Sequence, residues 1–264
     1  MFASVLPAME YVMPTESAAS SQDTFTLYGM GSPNVRKVVI MLEELQLAYA
    51  LRHVAVFKGE QFAPEFLAMN PLGKVPVLTG PALERPLAES AAIIFWLAEQ
   101  YGALLPKAGP ARYEIMQWVM VQMASIGPMF GQLNHFQIVT KAKEPYAFGR
   151  YFAQSERLYR LTDDRLNTNR WIAGDQYSIA DVVTYPWMTY LERHGFDPVK
   201  YPSLLRWRAT IAERAAVGRA DQRMQDAFSA ISSQTRRAAT TEDLDRFFGR
   251  VPGMPPADYS SVTR

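Results

Sequence analysis

The sequence predicts a two-part fold, a small α/β domain followed by an all-helical one. Short β-branched and aromatic runs alternate with helical patterns as far as Pro106, and beyond Pro110 strand signals vanish in favour of long stretches with apolar residues at three- and four-residue spacing. The 264 residues are 48% hydrophobic and 20% charged, which is an ordinary globular composition for one large domain or two small ones.

Residues 1–23 mix Ser, Ala, Thr and Pro without periodicity and read as a flexible N-terminal extension, so order is expected from Thr24. Thr24 to Tyr28 is a β-branched and aromatic run bounded by Gly29 and Gly31, hence a strand. A helix follows, with Val35, Val38, Val39, Leu42 and Leu45 on its apolar face. Leu51 to Val56 reads as a second strand and Gln61 to Met69 as a short helix. Lys74 to Leu78 with Pro86-Leu87 forms a hairpin, and the helix Ser90 to Tyr101 closes a domain spanning 24–106.

In the helical domain, 111–226, helices are expected over Tyr113 to Ile126, Ala147 to Leu166, Ile179 to His194 and Ser203 to Glu213, with Gly127-Pro128 breaking the first. Residues 227–264 lose periodicity and read as a tail draped over the domain or over a partner subunit.

Composition removes several classes of function. With 27 basic and 26 acidic residues the net charge is +1, which argues against a dedicated nucleic-acid binder. The longest apolar run, Ala91 to Ala98, is far short of the roughly 18 residues of a spanning helix, so no membrane partner is expected. The N-terminus has no basic residue ahead of an apolar stretch, and a cytoplasmic location is expected. There is no cysteine, hence no disulfide, thiolate metal site or cysteine nucleophile, and three widely spaced histidines make no metal site. Any thiol chemistry must use a thiol brought by another molecule.

Four segments carry candidate chemistry. In Tyr28-Gly-Met-Gly-Ser32-Pro-Asn34, Ser32-Pro33 is a helix start, and it is equally a hydroxyl at a helix N-terminus suited to holding an anion such as a thiolate. In Asn70-Pro-Leu-Gly-Lys74-Val75-Pro76-Val-Leu, Pro76 belongs at an edge or in a cis turn. That leaves the Val75 backbone either as plain edge strand or as a partner for a peptide-like ligand. In Leu87-Ala-Glu89-Ser90, Ser90 caps a helix, or binds a carboxylate while Glu89 pairs an ammonium. Tyr177-Ser-Ile-Ala-Asp181 is a capping box, read as structural. Met129 and Phe130 of the Gly127–Gln132 segment, with His135, Phe136, Tyr146 and Tyr151, have two readings, an apolar pocket or core packing. Arg150 belongs to a solvated helix face or reaches a ligand carboxylate.

Taken in order, the Ser loop, GKVPVL, ES before a helix, and SIAD in a helical domain resemble the cytosolic glutathione S-transferase family over roughly residues 25–225. The segments SPNVRKVVIMLEEL, GEQFAPEFLAMNPLGKVPVL, GPMFGQ, PYAFGRY and YSIADVVTYPW are most similar to the bacterial Nu class of glutathione-dependent disulfide-bond oxidoreductases. The resemblance implies a thioredoxin-like N-terminal domain and a homodimer. It implies glutathione as co-substrate and no metal. It assigns Ser32, where the class usually has Thr, and Asn34 to the glutathione sulfur.

It further assigns Gln61 to the glycyl end, Lys74 to the glycyl carboxylate, Val75 to the cysteinyl backbone, Glu89 and Ser90 to the γ-glutamyl group, and Arg150 to glutathione from the helical domain. Tyr28, near the catalytic tyrosine of other classes, joins Met129, Phe130, His135, Phe136 and Tyr146 as a second-substrate pocket. The expected function is a glutathione-dependent disulfide-bond reductase or transferase acting on a small disulfide or electrophile. The alternatives are thioether-cleaving lyase or peroxide reductase on the same site, and a non-catalytic ligand-binding or regulatory protein of the same fold.

Overall fold

The structure, a computed structural model, describes residues 24–137, 144–250, 253–254 and 258–263. The expected 1–23 extension lies outside the described residues. Strand β1 (Phe25–Gly29) leads into α1 (Pro33–Glu44), then β2 (Tyr49–His53), two 3₁₀ turns (Val56–Lys58 and Glu60–Phe62), α2 (Pro64–Met69), β3 (Val77–Thr79), β4 (Leu87–Ala88) and α3 (Ser90–Tyr101). The sheet order is β2-β1-β3-β4, with β1 parallel to β2 and the other pairs antiparallel. This is the thioredoxin-like arrangement.

The helical half comprises α4 (Pro110–Val121), α5 (Gly127–His135), α6 (Pro145–Thr168), α7 (Ile179–Met188), α8 (Pro202–Ala212), α9 (Ala215–Arg237), α10 (Thr241–Phe247) and α11 (Ser260–Thr263). Two expectations are corrected here. Gly127-Pro128 does not break the first long helix: a π-turn at Gln122–Ile126 carries α4 directly into α5. Pro128 has no N–H and clashes with a regular preceding turn, and a local widening accommodates it. Nor does a tail begin at 227. α9 runs through that position for 23 residues, and α10 returns to the first domain, where Phe247 packs on Phe57 at 4.8 Å and Lys58 pairs with Asp243.

Helix α1 is the structural axis. Its residues Val35 and Lys37 through Glu43 are buried, because α3, α7 and α9 pack around it against the sheet. A helix enclosed on all sides is apolar nearly all round, and a charged residue inside it stands out. Gly29 lets β1 approach it closely, since a Cβ there would lie 2.7 Å from the Val35 side chain. α9 is held to α1 largely by ions: Arg36 grips Asp221 with two bonds of 2.7 Å, and Arg219 reaches Glu43 at 2.7 Å.

The helical core is organised by Asp181, fully buried at the start of α7. Its carboxylate accepts from Ile172 N (2.9 Å), Ser178 N (3.0 Å), Ser178 Oγ (3.3 Å) and Trp207 Nε1 (2.8 Å), which makes the expected capping box the hub of three segments. Burial nonetheless pushes its carboxyl up to about 6.

Candidate glutathione site

A cleft of about 410 Å³ opens between the two domains. One wall comes from the first turns of α1 (Asn34, Lys37), another from the Asn70–Pro76 loop (Lys74, Val75) and the start of α3 (Glu89, Ser90). The opposite wall comes from the π-turn and α5, with Trp187 of α7.

The Asn70–Pro76 loop is shaped locally. Asn70 is buried, donates to Lys74 O at 2.7 Å and accepts from Leu72 N at 3.1 Å. Gly73 takes φ +58, and a side chain there would press on the Gln61 carbonyl and the Phe62 ring. The Val75-Pro76 bond is cis, and Val75 lies outside the β3 ladder. No hydrogen bond among the described residues uses its N–H or carbonyl, so an extended ligand strand has both available.

Glu89 adopts φ 67, ψ 114, a region that a residue with a side chain rarely occupies. Its exposed carboxylate sits on the cleft wall, and the buried Ser90 opens α3 with no side chain capping the helix. An acid beside a free helix N-terminus presents one group for an ammonium and one for a carboxylate.

At α1, Ser32 caps the helix, its Oγ accepting from Val35 N at 3.4 Å, while its own hydroxyl hydrogen is left for another partner. Asn34 Oδ1 accepts from Trp187 Nε1 at 2.9 Å. The indole N–H is only a donor, so the amide must turn its oxygen to the indole and leave its NH₂ for other acceptors.

The structure brings Asn34, Lys74, Val75, Glu89 and Ser90 together on the cleft. Ser32 instead lines a smaller adjoining depression with Arg36, Tyr190 and Met224. Gln61 is buried in the second 3₁₀ turn with its Oε1 unpaired, and Arg150 is exposed on α6; neither is on the cleft wall.

The expected second-substrate set is corrected. Phe130 is fully buried and stacks on Tyr159 at 4.4 Å, so it belongs to the core. Met129 packs against that core as well. Tyr28 belongs to the small cluster around Val54, Val56, Phe66 and Val77, with Arg52 over its ring. His135 lies between Phe136 and Phe248, Phe136 stacks on Tyr151, and Tyr146 is 81% exposed. Along α5 it is the opposite face, Gly127, Pro128, Gly131 and Gln132, that lines the cleft. At about 100° per residue, the large apolar residues of this segment turn to the core and the small and polar ones to the ligand space.

Sequence reasoning also missed Lys37, Gln122, Met123 and Trp187. For Lys37 a signal was present, a lysine beside Arg36 that directly precedes the apolar run Val38–Leu42. Trp187 and the π-turn carried none, because their apolar character matches the core.

The glutathione S-transferase N-terminal domain family matches residues 27–107, and the C-terminal domain family matches 127–215. The chain belongs to the glutathione S-transferase family. It is 38% identical over 199 residues to the disulfide-bond oxidoreductase YfcG of Escherichia coli, which covers 74% of this chain and 93% of that relative. Among solved structures, a glutathione transferase family member from Pseudomonas fluorescens with two glutathione bound matches with a TM-score of 0.70. The two are 36% identical, over 77% of this chain and 94% of that one. A glutathione transferase from Pseudomonas putida with one glutathione disulfide bound per subunit matches with a TM-score of 0.71 at 34% identity, over 77% and 93%. Among the described residues of this glutathione S-transferase, no helix is long and apolar enough to cross a membrane.

Proposed function

We propose that this protein reduces disulfide bonds with glutathione, as a cytoplasmic homodimer of the Nu type. The observation that carries the reading is the composition of one cleft: a free peptide edge at Val75, an acid and an uncapped helix start at Glu89-Ser90, and the Asn34 amide. The first two suit the backbone and γ-glutamyl end of glutathione, and the Asn34 NH₂ with the α1 N-terminus suits its sulfur. YfcG, by name a disulfide-bond oxidoreductase, supports the choice of reaction. Ser32 donates its hydroxyl to the sulfur from the other side of the α1 start. Lys74, on the cleft wall, serves the glycyl carboxylate.

The chain has no cysteine, so every sulfur in the reaction belongs to a ligand. A glutathione thiolate attacks one sulfur of the substrate disulfide, the other sulfur leaves as a thiolate and takes a proton, and a mixed disulfide remains. A second glutathione thiolate attacks that mixed disulfide, releasing the second substrate thiol and glutathione disulfide. Two glutathiones are oxidised and one disulfide is reduced.

A thiol of pKa about 8.5 is only about 3% ionised at pH 7, and lowering it by two units requires about 2.7 kcal/mol. One charge-assisted hydrogen bond contributes about 1.5–3 kcal/mol and a helix terminus about 0.3–2. Titrating the ultraviolet absorbance of protein-bound glutathione thiolate is therefore expected to give a pKa about two units below that of free glutathione. An unchanged value would contradict the assignment of the sulfur to this helix start. Ser32→Ala is expected to slow turnover more than it weakens glutathione binding; equal losses in both would remove Ser32 from the reaction.

A further inference from the structure

On α5, Gly127, Gly131 and His135 stand four residues apart on one face, so the stripe that lines the cleft continues outward to His135. There the ring of Phe248 lies 5.1 Å from the imidazole. Phe248 directly follows α10, and the rest of that segment is tied to the first domain. Phe247 packs on Phe57 at 4.8 Å, and Lys58 pairs with Asp243 and donates to Ala238 O at 3.2 Å. The Arg246 guanidinium lies 5.4 Å over the Phe62 ring, which itself borders Gly73 of the Asn70–Pro76 loop. Residues 238–250 therefore cross from one wall of the cleft to the other.

We propose that Phe247 and Phe248 clasp the mouth of the cleft and limit its second substrate to low-molecular-weight disulfides, shutting out those of folded proteins. This rests on the glutathione reading above and adds a limit on the size of the group that meets the sulfur.

The attacking thiolate must come within about 3–3.5 Å of a disulfide sulfur, so whatever carries that disulfide has to enter the cleft with it. A folded protein brings its own surface along, and the α10 segment stands where that surface would go. The segment is not a loose end. Phe248 stacks on Tyr259 at 5.5 Å, the Tyr259 hydroxyl donates to Asp245, and Arg250 pairs with Asp245 at 3.0 Å. Leu244, Tyr259 and Val262 are buried behind it as a small core. α9 holds the near end, with Ser232 Oγ 3.2 Å from His53 Nε2. The ties to the two walls are weaker, one aromatic contact to the helical domain and a surface ion pair with ring contacts to the first, so single substitutions loosen the clasp and leave this core intact.

The test compares S-methylglutathione with glutathione joined through its sulfur, by a short thioether link, to a small folded protein, both titrated by calorimetry. Wild type is expected to bind the protein-borne ligand at least about tenfold more weakly. Phe248→Ala and, separately, Lys58→Ala are expected to narrow that gap at least about threefold while holding S-methylglutathione within about twofold of wild type. In turnover the same variants gain reduction of insulin disulfides relative to hydroxyethyl disulfide. Equal binding of the two ligands by wild type, or a gap that neither variant narrows, would overturn the proposal. Should Phe248→Ala fail to fold, Lys58→Ala, changed at the surface, decides alone. Loss of hydroxyethyl disulfide turnover with the size gap intact would sink the reductase reading and leave the clasp standing. Failure of wild type to bind S-methylglutathione would sink the glutathione reading and the clasp with it.

Discussion

Replacing Asn34 by alanine is expected to lower kcat/KM for reduction of a small disulfide by glutathione about a hundredfold. Removing one preorganised donor from a developing or resident oxyanion costs on that order, and a thiolate held by an amide NH₂ at a helix start is the sulfur counterpart. The amide is preorganised from the other domain, because the 2.9 Å bond from Trp187 Nε1 holds its oxygen away from the sulfur. Trp187→Phe keeps a ring in the interface and deletes that donor. It is expected to raise the pKa of the bound thiol and slow turnover, with a smaller effect on glutathione affinity. Trp187 is in this sense a positioning residue. An Asn34→Ala protein within threefold of wild type would show that the NH₂ does not reach the sulfur.

The largest loss of stability is expected from Asp181→Ala. Four donors, from Ile172, Ser178 twice and Trp207, converge on this one carboxylate in the core, and truncation leaves them unsatisfied without solvent. Each orphaned buried donor costs about 1–3 kcal/mol, so a total of roughly 3 kcal/mol or more is expected in urea unfolding. Asp181→Asn, which keeps one acceptor oxygen, should lose less. A loss below about 1 kcal/mol for the alanine variant would mean that water or a repacked side chain reaches these donors.

The elements that sequence periodicity read correctly are those whose burial is one-sided or complete. β1, α1 and α3 lie within a residue or two of expectation, because Leu27, the Val35–Leu42 face and the Ile93–Leu97 face pack into one core. α9 was not read as a helix, and the helical domain was ended inside it at 226, because its buried stripe is thin and small, Ala216, Val217 and Ala220 with Phe228, and its docking relies on Asp221 and Arg219. Hydrophobic periodicity registers neither small side chains nor ion pairs.

The cleft divides the same way. Val75, Glu89 and Ser90, which line the cleft, could be singled out because a proline, an acid and a serine at a helix start each have a local backbone reason to be where they are. The α5 face was not legible because Met129 and Phe130 are the bulky residues of that segment, whereas a ligand wall is built where side chains are small enough to leave room. Lys37 and Trp187 come to the cleft wall only when α1 meets the helical domain, and no local pattern encodes that meeting.

The decisive measurement is steady-state reduction of a small symmetric disulfide by glutathione with purified protein, run beside conjugation of a chloronitrobenzene under the same conditions. Fast disulfide turnover, abolished or nearly so in Asn34→Ala, with feeble conjugation, is the expected result. Conjugation outrunning disulfide reduction, or neither reaction exceeding the uncatalysed background, would contradict the assignment of this cleft to glutathione-dependent disulfide reduction.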